Sequence, residues 1–179
     1  MIILLVILLI IGGAAVFAIN AYNNIQRLNI NVDEAESQIN VQLQRRADLI
    51  PNLVNTVKGY TKHEESTLKE ITNLRSGLTN GDLQSRITAS QKLTTQVMAV
   101  AENYPDLKAN SNFSSLQEEL TNTENKIGYA RQLYNSTVGT FNRAIATFPG
   151  NLIAGMMNAQ KRDYLKVEED AKVAPKVEF

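Results

Sequence analysis

The polar side chains with the types and spacing to act together fall into three groups. Arg45, Arg46, Asp48, Asn52 and Asn55 form the first. Positions 45, 48, 52 and 55 step by three or four and therefore share one face of a helix. Guanidiniums, a carboxylate and two amides in that arrangement can dock an acidic helix or lipid phosphates. They can equally form interhelix salt bridges and amide hydrogen bonds that fix register. Glu118, Glu119, Glu124, Arg131, Asn135 and Asn142 form the second group, the last four at helical spacing beside an apolar stripe. A buried charge needs a partner, so Glu124 is expected to pair with Arg46 or Arg131. Glu64, Glu124, Arg131 and Asn135 are read together as a structural polar layer, with a binding pocket at that level as the alternative.

The third group, His63-Glu64-Glu65, invites a metal. A di-metal bundle site needs two Glu-x-x-His motifs and two further carboxylates, yet the chain has one His and residue 60 is Tyr. A zinc-protease signature needs a second His where Thr67 stands. A capping role for Glu64 fits better: Thr61-Lys62-His63-Glu64 reads as a capping box, hydroxyl and carboxylate satisfying the free amides of a new helix. Without Cys there is no thiolate chemistry and no disulfide. No Gly-x-Ser-x-Gly, P-loop or dinucleotide fingerprint occurs, and only His63 could serve a nucleophile as base. No catalytic, cofactor-binding or metal residue is therefore assigned, and no enzyme is expected.

These groups need elements to carry them, and the elements begin with an anchor. MIILLVILLIIGGAAVFAI, residues 1–19, holds no charged side chain, while everything after Asn20 is polar and of mixed charge. Ile2 to Ile19 as a helix spans roughly 27 Å, close to a ~30 Å hydrocarbon core. A signal peptide would carry a basic n-region, and the apolar run starts at residue 2; a retained transmembrane helix is expected. Gly12, Gly13, Ala14 and Ala18 give it a small-residue patch suited to helix–helix packing in lipid. The lysines and arginines that follow the anchor favour a cytoplasmic C-terminal side. Eighteen basic and eighteen acidic residues cancel, so nothing draws the chain to nucleic acid.

Between Gly13 and Pro51 there is neither Gly nor Pro, and Ile25, Leu28, Val32, Ala35, Ile39 and Leu43 repeat every three or four residues. The anchor is expected to continue into the soluble domain as one stiff helix. Its stripe passes Pro51, where a kink is expected, to Leu53, Val57 and Tyr60, with Gly59 as a stop. A second helix carries Leu68, Ile71 and Leu74, and Gly77 to Asp82 reads as a turn. A third carries Leu83, Ile87, Leu93, Val97 and Val100 until Tyr104-Pro105-Asp106. The fourth runs from near Ser111 or Ser114 to Phe148, striped by Phe113, Leu116, Leu120, Ile127, Ala130, Tyr134, Val138, Phe141, Ile145 and Phe148. After Pro149-Gly150, Asn151 can cap a short apolar helix, LIAGMM, that either plugs the bundle end or enters the membrane interface. The fold expected is all-α: a transmembrane helix continuing into an antiparallel up-and-down four-helix bundle. A single helix over 22–76 is the alternative. The domains are 1–20, the anchor; 21–158, the bundle; and 159–179, an irregular tail. The Arg45–Asn55 group would then lie well over roughly 35 Å from the membrane end of its helix, which disfavours lipid contact.

Several strings resemble the LemA family of bacterial membrane proteins. They are VQLQRRADLIPNL at 41–53, Val57-Lys-Gly-Tyr60 with His63-Glu64, and ENYPDLKAN at 102–110. Leu116-Gln-Glu-Glu-Leu120, Thr123-Glu-Asn125, Ala130-Arg131, Tyr134-Asn135 and Phe148-Pro149 complete the set, in order along nearly the whole chain. The resemblance implies a single-pass anchor in the bacterial inner membrane, N-terminus outside, and a cytoplasmic helical bundle. It supplies no reaction; some family members take part in building magnetosome membranes, and others are encoded near membrane zinc metalloproteases.

The function expected is that of a non-catalytic, membrane-anchored helical scaffold that self-assembles and organises or shapes the membrane. The alternative is an adaptor docking a membrane protease or signalling partner through a bundle face. Partners expected are membrane lipids through residues 1–20, further copies of the chain, and a membrane protein such as a metalloprotease.

Overall fold

A computed structural model of the chain describes residues 1–60 and 65–166. The described residues are all-α, with no strand among them. Six helices follow in order: α1 (Ile2–Lys58), α2 (Glu65–Thr79), α3 (Leu83–Asn103), α4 (Pro105–Lys108), α5 (Ser111–Ala146) and α6 (Gly150–Met156). The described residues divide into two compact units, one of 1–36 with 132–165 and one of 37–60, 65–131 and 166.

The second unit carries four longer helical segments in up-and-down order, from α1, α2, α3 and α5, with the one-turn α4 before α5. Asn40 meets Arg86 and Arg46 meets Thr94, so α1 and α3 run in the same direction. Arg45 meets Glu119 and Tyr60 meets Asn110, so α1 and α5 run oppositely. Ile39, Leu43, Ala47, Ile50, Leu53 and Val57 of α1 are buried with Ile71 and Leu78 of α2, Ile87, Leu93 and Val97 of α3, and Phe113, Leu120 and Ile127 of α5. The helix period that placed these residues on stripes has put them in one core.

α1 crosses Pro51 without interruption. Proline has no N–H to offer the Ala47 carbonyl, but its ring is exposed and the apolar stripe is packed on both sides of it. The helix ends at Lys58, followed by a turn in which Tyr60 N–H donates to the Val57 carbonyl at 2.9 Å. This excludes a single helix over 22–76. The capping box at 61–64 lies outside the described residues.

Three boundaries differ from the sequence reading. Gly77 is not in a turn but inside α2, where a Cβ would stand 3.0 Å from that of Ala89 on α3; the glycine lets the two helices approach. The true turn is Asn80–Asp82, with Gly81 at φ +99 and the Asp82 carboxylate capping α3 through Ser85 N–H at 2.9 Å. α5 begins at Ser111, as its sequence suggested, and is capped by Asn110, whose Oδ1 accepts from Phe113 N–H at 3.1 Å; its other end differs. It stops at Ala146, and Phe148 is 79% exposed rather than the last core residue of its stripe. α6 starts at Gly150, preceded by Pro149, with no side-chain cap.

In the first unit, α1 carries Ile25, Val32 and Ala35 inward, and α5 carries Tyr134, Val138, Phe141 and Ile145. Residues 2–17 of the same helix are exposed throughout. This is the one helix among the described residues long and apolar enough to cross a membrane. Residues 159–166 have no regular secondary structure, yet Leu165 is buried, so the irregular tail begins as a docked segment.

Candidate functional site

The two adjacent arginines of α1 separate completely. Successive helix residues point about 100° apart, and position 46 falls on the stripe between Leu43 and Ile50. Arg46 is wholly buried, whereas Arg45 is exposed. The Arg46 guanidinium pairs with the Glu124 carboxylate of α5 and donates to the Thr94 hydroxyl of α3. Thr94 in turn donates to Glu124 Oε2 at 3.1 Å. Three helices of the second unit are thus tied at one polar layer. Burial pulls the Arg46 guanidinium below its ordinary pKa, and the Glu124 charge and hydrogen bond pull it back up. Ser90, one turn before Thr94, is also wholly buried. Its hydroxyl and Arg46 Nε have no hydrogen-bond partner among the described residues, a cost that offsets part of what the buried pair contributes.

The first polar group is therefore divided. Arg46 is unavailable for docking, which corrects its place in that group. Arg45, Asp48, Asn52 and Asn55 are exposed on one face. Arg45 bridges to Glu119 at 2.8 Å, and Asp48 accepts from Gln44 at 2.9 Å. Asn52 and Asn55 line an open groove of about 430 Å³ with Asn112, Ser115 and Glu119 of α5.

The expected polar layer is divided too. Glu124 meets Arg46. Arg131 instead donates to the Lys166 carbonyl at 3.0 Å, and Gln84 of α3 holds the same residue at both its N–H and its carbonyl, at 2.9 and 3.3 Å. Asn135, in the first unit, accepts from Leu165 N–H at 2.9 Å and donates to the Leu165 carbonyl at 3.0 Å. Glu64 and His63 lie outside the described residues, and no group of three or more metal-binding side chains occurs among the described ones.

Asn135 belongs to a clamp that the sequence reading missed. Asn142 grips Arg162 in the same two-bonded way, at 2.9 Å from N–H and 2.8 Å to the carbonyl. Asn142 and Asn135 are seven helix residues apart, roughly 10.5 Å along α5. Arg162 and Leu165 are three residues apart, roughly 10 Å if extended. The match lets two amides read one extended backbone. Tyr134 adds a bond from its hydroxyl to the Asp163 carbonyl at 3.2 Å; its phenol pKa is raised by burial first and by the Glu36 charge second. Arg162 reaches α1, donating to Asn29 at 2.9 Å and pairing with Asp33 at 2.7 Å. On α5, the signal in the sequence was the i, i+7 pair of asparagines beside the stripe.

In the anchor, a Cβ added at Gly12 or Gly13 would meet nothing within 4 Å, and Ala14 is exposed with Ala18 half-exposed. Among the described residues, nothing packs against the two glycines of the small-residue patch.

A membrane-length apolar helix, continued without a break into packed α-helical structure, defines the class. The comparisons name the family: a model of the LemA family matches residues 35–179, and the chain belongs to that family. It is similar to Protein LemA of Metamycoplasma hominis, 30% identical over 139 residues, which are 74% of this chain and 63% of that protein. It is also similar to magnetosome proteins MamQ 1 and MamQ 2 of Paramagnetospirillum magneticum, each 22% identical over 81% of this chain and 64% of the relative. The chain thus spans just under two thirds of the length of these curated relatives.

Proposed function

We propose that the protein is a non-catalytic scaffold, anchored by residues 2–19 in a bacterial inner membrane with its helical body on the cytoplasmic side, where copies assemble and organise the bilayer. The observation that carries this reading is the continuity of α1 in the first unit. The helix passes from exposed apolar residues to the packed Ile25, Val32 and Ala35 with no Gly, Pro or break. A flexible tether would let the body move freely; a continuous helix transmits its orientation to the anchor. The unpartnered Gly12–Ala14 patch supplies a surface for a second anchor. Kinship with magnetosome proteins supports work at a membrane. Electron microscopy of the full chain in mild detergent and in liposomes tests it. Regular particles or coats are expected; dispersed monomers and featureless vesicles would defeat the scaffold.

The groove at Asn52 and Asn55 favours the second reading, an adaptor for a membrane protease or signalling partner. It is open, carries the side-chain amides of Asn52, Asn55 and Asn112, and is edged by the Arg45–Glu119 pair. A photo-crosslinker at Asn55 in cells should then give one discrete adduct that Arg45→Glu abolishes.

A further inference from the structure

α6 has two faces, and one of them is bare. Ala154 is buried and Ile153 and Met157 are half-buried, so this side packs against its own unit. Leu152 and Met156, four residues apart and on one face, are 60% and 82% exposed. Phe148, on the turn before, is 79% exposed. A helix serving only to plug the end of a bundle would turn its largest apolar side chains inward. From Ala144 to Gln160 there is no charged residue.

The place of α6 in its unit says what covers this face. The residues just after it, Met157 to Arg162, share a cavity of about 390 Å³ with Ile25, Gln26 and Asn29 of α1. Ile25 is six residues beyond Ile19, roughly 9 Å along the axis. The end of α6 is therefore held within two turns of the last residue of the apolar run. Resting on the reading that residues 2–19 span a bilayer, we propose that Phe148, Leu152 and Met156 form a second lipid contact. They are immersed in the interfacial layer of the bilayer that takes the anchor. The chain then meets the membrane at two points, through a spanning helix and a short helix beside it. With no lysine or arginine between 144 and 160, the contact is apolar rather than electrostatic; it needs no anionic lipid and is insensitive to salt.

The chain has no Trp, so single-tryptophan variants read position cleanly. Met156→Trp and Leu152→Trp replace exposed side chains, and Ile7→Trp reports on the anchor. Each full-length variant is placed in pure phosphatidylcholine vesicles, with helicity checked by circular dichroism. Lipids brominated near the head-group end of their acyl chains serve as quenchers. The α6 tryptophans are expected to be blue-shifted and quenched about twofold, unchanged in high salt. If Ile7→Trp is quenched while both α6 variants emit as in water, the lipid contact is overturned and the anchor stands. If none is quenched, the anchor reading fails with it. Blue-shifted but unquenched α6 tryptophans would overturn the proposal in favour of burial against a second copy.

Discussion

Arg45 and Arg46 show how much depends on one step of helix rotation. The exposed bridge from Arg45 to Glu119 contributes little, since exposed pairs are worth ~0–1 kcal/mol. The Arg46–Glu124–Thr94 layer is different, because removing either charge leaves the other badly placed. Glu124→Ala should cost about 2–4 kcal/mol, whereas Arg46→Met with Glu124→Leu should come within about 1 kcal/mol of wild type. Urea unfolding of the full chain in detergent, followed by circular dichroism, checks both; a double variant as unstable as the single would show that the layer adds real stability. Gly150 is a second decisive residue. A Cβ there would collide with the Ala144 carbonyl oxygen, a backbone atom that cannot swing aside. Gly150→Ala should therefore cost about 1–3 kcal/mol in the same assay, while Gly128→Ala, where a Cβ meets nothing, should be neutral or stabilising.

At the scale of elements, the stripes carried most of the information. Ile25, Val32, Ile39, Leu43, Leu53 and Val57 were spaced for one face of a helix, and each is buried. Even Arg46 was legible, since it occupies a stripe position between Leu43 and Ile50. The docked segment 159–166 was not. Its grip comes from Asn135, Asn142 and Tyr134 on its main-chain groups, and main-chain groups leave no trace in residue type; Leu165 alone is an apolar cue. Each asparagine makes two bonds to the segment, so Asn135→Ala or Asn142→Ala should release it. Trypsin should then cut after Lys161 or Arg162 about tenfold faster, in line with ~1–1.5 kcal/mol lost. An unchanged cleavage rate would mean that the remaining contacts, among them Leu165, the Arg162–Asp33 pair and the Tyr134 bond, hold it without that asparagine. The Asp82 cap gives a pH signature. Its carboxylate sits below the usual range because it accepts from the Ser85 N–H and hydroxyl. A depressed folded-state value stabilises at pH above the ordinary carboxylate range and is lost as pH falls through the folded value. The stability gap between wild type and Asp82→Asn should thus be present at neutral pH and shrink in acid.

At the scale of the whole molecule, the question is where copies of the chain would meet, and the anchor offers the most specific answer. Within a bilayer there is no hydrophobic force between helices, because lipid tails are as apolar as leucine; close approach through small residues supplies the attraction. Gly12, Gly13 and Ala14 provide such an approach, with nothing among the described residues beside the two glycines. Gly13→Ile keeps the anchor apolar and of the same length, so it should leave insertion intact. It also leaves the Asn52–Asn55 groove untouched. If assembly runs through the anchors, this one change should shift the full chain in detergent from oligomers to monomers by sedimentation velocity. Arg45→Glu, at the groove, should leave the oligomers unaltered. If the dependence is reversed, contacts outside the lipid hold the copies together, and the unbroken helix through Ile25 and Val32 would transmit order from the body to the anchor instead of the other way.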